Sequence, residues 1–332
     1  MHVIVNQQPC EFASETVNLS TLLERQGVPD KGVAVALNGE VVPRSTWPTV
    51  VLSEGDRVDL VKVVAGGSDL AAEDRLVIAG RAFSSRLFMG TGRFISPAVM
   101  RAALEASGTE MVTVAIRATG VDGSGPDAGI LANLDRDRYH LLPNTAGATS
   151  VRQAVFMAEL AREALGTNWV KLEVIGDERT LWPDVSGTVE ATRILVKEGF
   201  VVLPYTTTDL VTALRLEDAG AATVMPLGSM IGSGQGVKDW EGVRRIVERV
   251  SVPVVVDAGI GTPSDAVLAM EAGAAACLIN TAVSRSDDPP AMAAAMRHAV
   301  IAGRLAYLAG RMPISDSAIP SSPPAGLVGV GL

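Results

Sequence analysis

In the stretch NWVKLEVIGD, Lys171 and Glu173 stand two residues apart among apolar neighbours. Strand alternation puts Trp169, Lys171 and Glu173 on one face and Val170, Leu172 and Val174 on the other. If the apolar face packs outward against helices, the charged pair is driven into an interior. A charged lysine is costly there unless it is paired or neutralised. Two readings follow. One is a structural Lys–Glu pair filling a polar layer. The other is a lysine whose pKa is depressed by burial, nucleophilic as the free amine and able to form a Schiff base with a carbonyl substrate. Buried ionisable groups mark functional sites often enough to favour the second.

Two further stretches could complete such a site. PVVVDAGIGTPSDA sets Asp257 where a strand meets its loop, followed by Ala258 and by Gly259 and Gly261, which let backbone approach a ligand. Asp257 could instead cap the next helix, but Thr262 is the better-placed cap. MPLGSMIGSGQG carries Gly228, Gly232, Gly234 and Gly236 without the Gly-Lys-Ser/Thr of a P-loop. Either it is a surface loop or its amides form part of a phosphate cradle, together with Asn280 and Thr281 of INTAVS.

The elements that must position these residues alternate regularly. Apolar runs at 86–92, 110–116, 139–144, 169–175, 200–206, 222–228, 252–259 and 276–282 are separated by helical patterns, among them 149–165, 187–198, 208–219, 239–250 and 263–272, with a last helix over 289–309. Eight βα units in this length predict a parallel (β/α)8 TIM barrel with its chemistry at the C-terminal ends of the strands. Residues 1–67 read differently: short strands, one helix ending at Gly27, and an Asn38-Gly39 hairpin signal predict a small ubiquitin-like β-grasp (α+β) domain. It ends on Gly66-Gly67. The expected division is 1–67 carrier-like domain, 68–75 linker, 76–312 barrel and 313–332 a loose Pro-, Ser- and Gly-rich tail.

Composition narrows the function. The chain has 332 residues, 48% of them hydrophobic, and a formal net charge of −9 without a basic patch, which argues against nucleic acid as a partner. There is no run of about 20 apolar residues and no signal-peptide pattern, so no membrane association and a cytoplasmic location are expected. Cys10 and Cys277 form no CxxC, and with His2, His140 and His298 as the only histidines neither a metal site nor a His-based triad is expected. No cofactor is called for.

Taken together, VALNGEVVPRSTW and EGDRVDLVKVVAGG resemble the sulfur carrier protein of thiamin biosynthesis. LLPNTAG, TNWVKLEVIGD, LPYTTTD, IGSGQG, PVVVDAGIGTPSDA and INTAVS, in that order, resemble thiazole synthase. The chain resembles a fusion of the two. The resemblance implies that Lys171 forms an imine with 1-deoxy-D-xylulose 5-phosphate and that Glu173 and Asp257 move protons. Gly232, Ala258, Gly259, Asn280 and Thr281 match positions that hold the sugar phosphate. It further implies dehydroglycine as the carbon and nitrogen source, a carrier thiocarboxylate as the sulfur source, a carrier-activating adenylyltransferase as partner, and a homo-oligomer, expected to be a tetramer. A class I aldolase acting on a phosphosugar would share the lysine chemistry, and a non-catalytic carrier or docking protein would not need it. Two features depart from the family: the glycine-rich 117–131 segment is long, and NTAGATS lacks a cysteine found in the family. The diglycine is also continued by Ser68 rather than free, so either a cut after Gly67 releases the carrier, or the chain stays joined, residues 1–67 are structural, and sulfur comes from a separate carrier or another donor.

Overall fold

Alternation in HVIV builds the first strand, with Val3 and Val5 buried and His2 and Ile4 facing out. The computed structural model describes residues 1–6, 8–12, 17–26, 33–62, 74–115, 133–319 and 321, in two units, Met1–Asp74 and Arg75–Leu332. Gly66, Gly67, most of the 68–75 linker, the 117–131 segment and nearly all of the tail beyond 319 lie outside the described residues.

The first unit runs β1 (His2–Val5), β2 (Gln8–Glu11), β3 (Val17–Asn18), α1 (Leu19–Arg25), β4 (Val33–Leu37), β5 (Glu40–Val41), β6 (Val51–Leu52) and β7 (Arg57–Lys62). Its mixed sheet has the order β2-β1-β7-β4-β5, with β1 and β7 parallel at its centre. Leu19, Leu22 and Leu23 of α1 join Val3, Val35 and Val58 in one core. Asn38 and Gly39 both take positive φ, +52° and +88°, the backbone of a tight primed hairpin turn. This is the β-grasp arrangement.

The second unit opens with a hairpin, β8 (Leu76–Ile78) and β9 (Arg81–Phe83), and continues with β10 (Leu87–Gly90), α2 (Pro97–Ser107), β11 (Met111–Ala115), β12 (His140–Asn144), α3 (Val151–Leu165) and β13 (Trp169–Leu172). A second hairpin, β14 (Ile175–Asp177) and β15 (Trp182–Pro183), leads to α4 (Val185–Lys197), β16 (Val201–Thr206), α5 (Leu210–Asp218), β17 (Met225–Pro226) and α6 (Trp240–Arg249). The chain then forms β18 (Val255–Asp257), α7 (Pro263–Glu271), β19 (Ala276–Ile279), α8 (Thr281–Ser284) and α9 (Pro289–Ala309). Eight parallel strands stand in the order β17-β16-β13-β12-β11-β10-β19-β18. Bridges Val224–Val254 and Leu227–Asp257 bring β17 against β18 and close the ring. The run 169–175 is not one strand: β13 stops at Leu172, and Ile175 begins the separate hairpin.

One end of the barrel is sealed. Leu76, Ile78 and Phe83 of the first hairpin pack with Phe88, Met111, Leu142, Trp169, Leu203 and Met225 into an apolar floor. Burying that much apolar surface stabilises the floor and leaves only the opposite, C-terminal end for polar groups and ligands. Among the described residues no helix is long and apolar enough to cross a membrane.

Candidate active site

Alternation on β13 works as its residue types dictate. Val170, Leu172 and Val174 pack with Ala154 and Ala158 of α3 and Ala191 and Leu195 of α4, while Trp169 joins the floor. Lys171 and Glu173 are thereby turned into the barrel, each about 5% exposed. Asp257, at the end of β18 on the other side of the ring and 3% exposed, meets them. Lys171 Nζ lies 2.6 Å from Asp257 Oδ2 and 3.3 Å from Glu173 Oε1. One cation is clamped between two carboxylates.

The electrostatics correct the expectation of a depressed lysine pKa. Burial, the largest single effect, does pull the Lys171 pKa down, but Asp257 and Glu173 outweigh it through charge and hydrogen bonding, and the net direction is up. The resting amine is an ammonium. Burial is also the largest effect at Glu173, aided by the nearby Asp257 charge, and it raises the carboxyl's pKa against the pull of Lys171. A carboxyl with raised pKa beside an ammonium is a ready proton acceptor once a ligand alters the balance. Burial shifts two further groups away from neutral pH. Cys277 faces outward from β19 and burial pushes its thiol up to about 12. His140 is pushed down to about 4, chiefly by burial and secondarily by Arg81, and stands edge-on to Trp169 at 4.4 Å.

The loops after β17, β18 and β19 interlock at the open end. Ala258 and Gly259 are both left-handed, with φ of +63° and +78°, and Ala258 is a strained non-glycine directly after Asp257. A Cβ on Gly259 would stand 2.5 Å from the Ser229 amide nitrogen and 2.9 Å from its Cα, so only glycine fits. Gly236 N donates to Gly259 O at 2.8 Å, which ties the two loops together. Gly232, at φ +73°, presents an open face 3.7 Å from Thr281 Oγ1, measured to the position a Cβ would take. Asn280 lies over Gly90, where a Cβ would come within 2.8 Å of its Cγ. Its Nδ2 donates to Gly92 O at 3.1 Å, and its buried Oδ1 has no partner.

The structure therefore brings Lys171, Glu173 and Asp257 into contact and gathers Ala258 and Gly259 beside Asp257. Gly232 and Thr281 adjoin each other, and Asn280 stands at the neighbouring strand end. Gly66 and Gly67 lie outside the described residues. Sequence reasoning missed Asn144 and Tyr205, which join the same layer. Asn144 is the register partner of Lys171. The Tyr205 ring centre is 5.8 Å from Lys171 Nζ, and its hydroxyl donates to Leu181 O at 3.4 Å. Their signal was a polar group at the end of a run, LLPN and VVLPYT, on the same alternation as an interior leucine. Among the described residues, no cluster of three His, Cys, Asp or Glu is arranged to hold a metal.

Comparison with known proteins follows the same two-part division. The family described as thiazole biosynthesis protein ThiG matches residues 77–323, and the ThiS family matches residues 3–67. A thiazole synthase from Paramagnetospirillum magneticum (strain ATCC 700264 / AMB-1) is 45% identical over 329 residues, covering 99% of this chain and 100% of its own length. One from Methylobacterium sp. (strain 4-46) is 57% identical over 258 residues, covering 77% of this chain and 96% of its own. Among solved structures, the Amycolatopsis orientalis BexX/CysO complex contains a chain that is 36% identical, with a TM-score of 0.66, covering 73% of this chain and 98% of that one.

Proposed function

Since the chain belongs to the thiazole biosynthesis protein ThiG family, carries a ThiS-family sulfur carrier domain ahead of it, and is thus a sulfur-transferring enzyme of thiamin thiazole synthesis, we propose that its chemistry runs through a Schiff base on Lys171 with 1-deoxy-D-xylulose 5-phosphate. The observation that carries this reading is the buried contact of Lys171 Nζ with Asp257 and Glu173 at the open end of the barrel.

The first step is a proton transfer. The ammonium must lose a proton before it can attack, and Glu173, whose pKa is raised, is the neighbour disposed to take it. The amine then adds to the ketone carbon to give a carbinolamine. Loss of its oxygen as water leaves the imine, and Asp257 or Glu173 supplies the proton that lets the oxygen depart. Holding both carboxylates within contact of Nζ replaces a solution encounter by a fixed geometry. The same two groups serve to move protons in the tautomerisation that follows. The glycines and Thr281 suit the phosphate: Gly232, Ala258 and Gly259 offer close backbone, and Thr281 offers a hydroxyl donor. Asn280 is suited to a different part of the sugar. With Nδ2 committed to Gly92, its free atom is an acceptor, which fits a hydroxyl rather than a phosphate oxygen.

Sulfur then arrives as the thiocarboxylate of a carrier, either on Gly67 once hydrolysis of the Gly67–Ser68 bond has freed its carboxylate or on a separate chain, after activation by an adenylyltransferase. Dehydroglycine brings carbon and nitrogen, and cyclisation with loss of water completes the thiazole phosphate. The proposed division of labour is 1–67 carrier, 68–75 linker, 76–312 synthase and 313–332 tail, in a homo-oligomer. The test is an intact mass spectrum of the protein incubated with 1-deoxy-D-xylulose 5-phosphate and then borohydride. A reduced adduct that is lost in Lys171→Ala is expected. Wild-type protein without an adduct, or Lys171→Ala with one, refutes the reading.

A further inference from the structure

Asn144 closes β12 as the neighbour of Lys171 across the sheet. Alternation with Leu142, a residue of the apolar floor, turns the Asn144 side chain into the barrel. Its Oδ1 is buried and has no hydrogen-bond partner among the described residues. The backbone around it is tightly held. Thr145 N donates to Lys171 O at 3.1 Å. Thr145 Oγ1 donates to Glu173 O and accepts from Glu173 N, both at 2.8 Å.

A buried acceptor without a donor is disfavoured, because it has given up water and gained nothing. Here a stiff backbone keeps it in that state, so the missing donor has to come from outside the chain. An amide oxygen takes only a donor, which rules out a phosphate or ketone oxygen as its partner and admits a hydroxyl. The floor below is sealed, so the ligand stands above it, beside Nζ. Asn144 and Lys171 stand on adjacent strands, about 4.8 Å apart, so among a ligand's hydroxyls the one nearest the carbon bonded to Nζ is the first candidate. Asn280 Oδ1, just past the end of β19, is another buried acceptor without a partner, open to a further hydroxyl of the same ligand.

We propose that Asn144 Oδ1 accepts a hydrogen bond from the hydroxyl on the carbon adjoining the ketone attacked by Lys171, and so selects α-hydroxy ketones. The inference rests on the Schiff-base reading above. Holding this hydroxyl fixes rotation about the bond between the imine carbon and its neighbour. That rotation decides whether the neighbour's C–H bond stands perpendicular to the imine plane, the geometry that proton loss requires.

The test is borohydride trapping on the full chain, comparing 1-deoxy-D-xylulose 5-phosphate with the analogue in which hydrogen replaces the hydroxyl next to the ketone. Asn144→Ala should lower the trapping efficiency for the natural ketose on the order of 10- to 100-fold, and for the analogue by less than about 2-fold. Trapping of the analogue at the level the wild-type chain shows with it also certifies that the variant is folded. Asn144→Ser, which keeps a shorter acceptor, should fall between wild type and Asn144→Ala with the natural ketose alone. Equal losses with both ketoses, in either variant, overturn the proposal. Failure of the wild-type chain to trap either ketose defeats the Schiff-base reading and this inference with it, a result distinct from equal losses.

Discussion

Replacing Lys171 by Met removes the cation that two buried carboxylates share. Glu173 and Asp257 have side chains only 6% and 4% exposed, and both contact Nζ. Breaking a buried ion pair by deleting one partner costs about 3–5 kcal/mol, because a charge is left unpaired. For a unit of this size each kcal/mol lowers Tm by roughly 2–4 °C, so a drop of about 6–20 °C is expected near pH 8. The loss should depend on pH with a definite sign. Without the lysine, nothing offsets the burial and the neighbouring Asp257 charge that already raise the Glu173 pKa above its unfolded value. A group raised in this way contributes stability that is full below the unfolded value, near 4 to 4.5, and is lost as pH rises through the folded value. The deficit should therefore shrink steadily as the pH is lowered from 8 towards 5. Adding Glu173→Gln to Lys171→Met removes one of the stranded charges and should recover about half of the lost stability at pH 8. Thermal unfolding followed by tryptophan fluorescence reads this out, since Trp169 lies in the barrel floor. A pH-independent loss, or a double variant no more stable than Lys171→Met, would refute the reasoning.

Three other substitutions separate packing from chemistry. Gly259→Ala combines a left-handed φ with a clash against Ser229 backbone, and should cost more than about 3 kcal/mol and abolish adduct formation. Gly199→Ala, also left-handed at φ +84° but with nothing within 4 Å, should cost only about 1 kcal/mol and leave the adduct intact; similar Tm shifts in the two would contradict this account. Tyr205→Phe keeps the ring beside Lys171 and removes a long 3.4 Å hydrogen bond to Leu181 O, for a loss of about 0.5–1 kcal/mol and turnover within about threefold of wild type. A hundredfold fall in turnover would put the hydroxyl into the chemistry and show the three-residue assignment to be incomplete.

Much of this protein is local in origin. Eight apolar runs spaced by amphipathic stretches specify a parallel sheet covered by helices, because only that arrangement buries both faces of such strands. Alternation alone put Lys171 and Glu173 inside, and valines and a leucine outside. The carrier-like domain was equally legible, from its Asn38-Gly39 turn and its single helix. Contact between Lys171 and Asp257 was not, since 86 positions of chain separate them and only closure of β17 against β18 brings them together. The lysine's protonation state follows from that contact: burial argues one way, two carboxylates argue the other, and their relative weight is a matter of distance. The break at Leu172 was hidden because WVKLEVI is apolar enough to read as one strand. Asn144 closed the run 139–144 and was not singled out there as a site residue. Its orphaned oxygen acquires meaning only in three dimensions, where hydrogen bonds between Thr145 and Glu173 fix the strand end next to that of Lys171 and Oδ1 is left without a hydrogen-bond partner among the described residues.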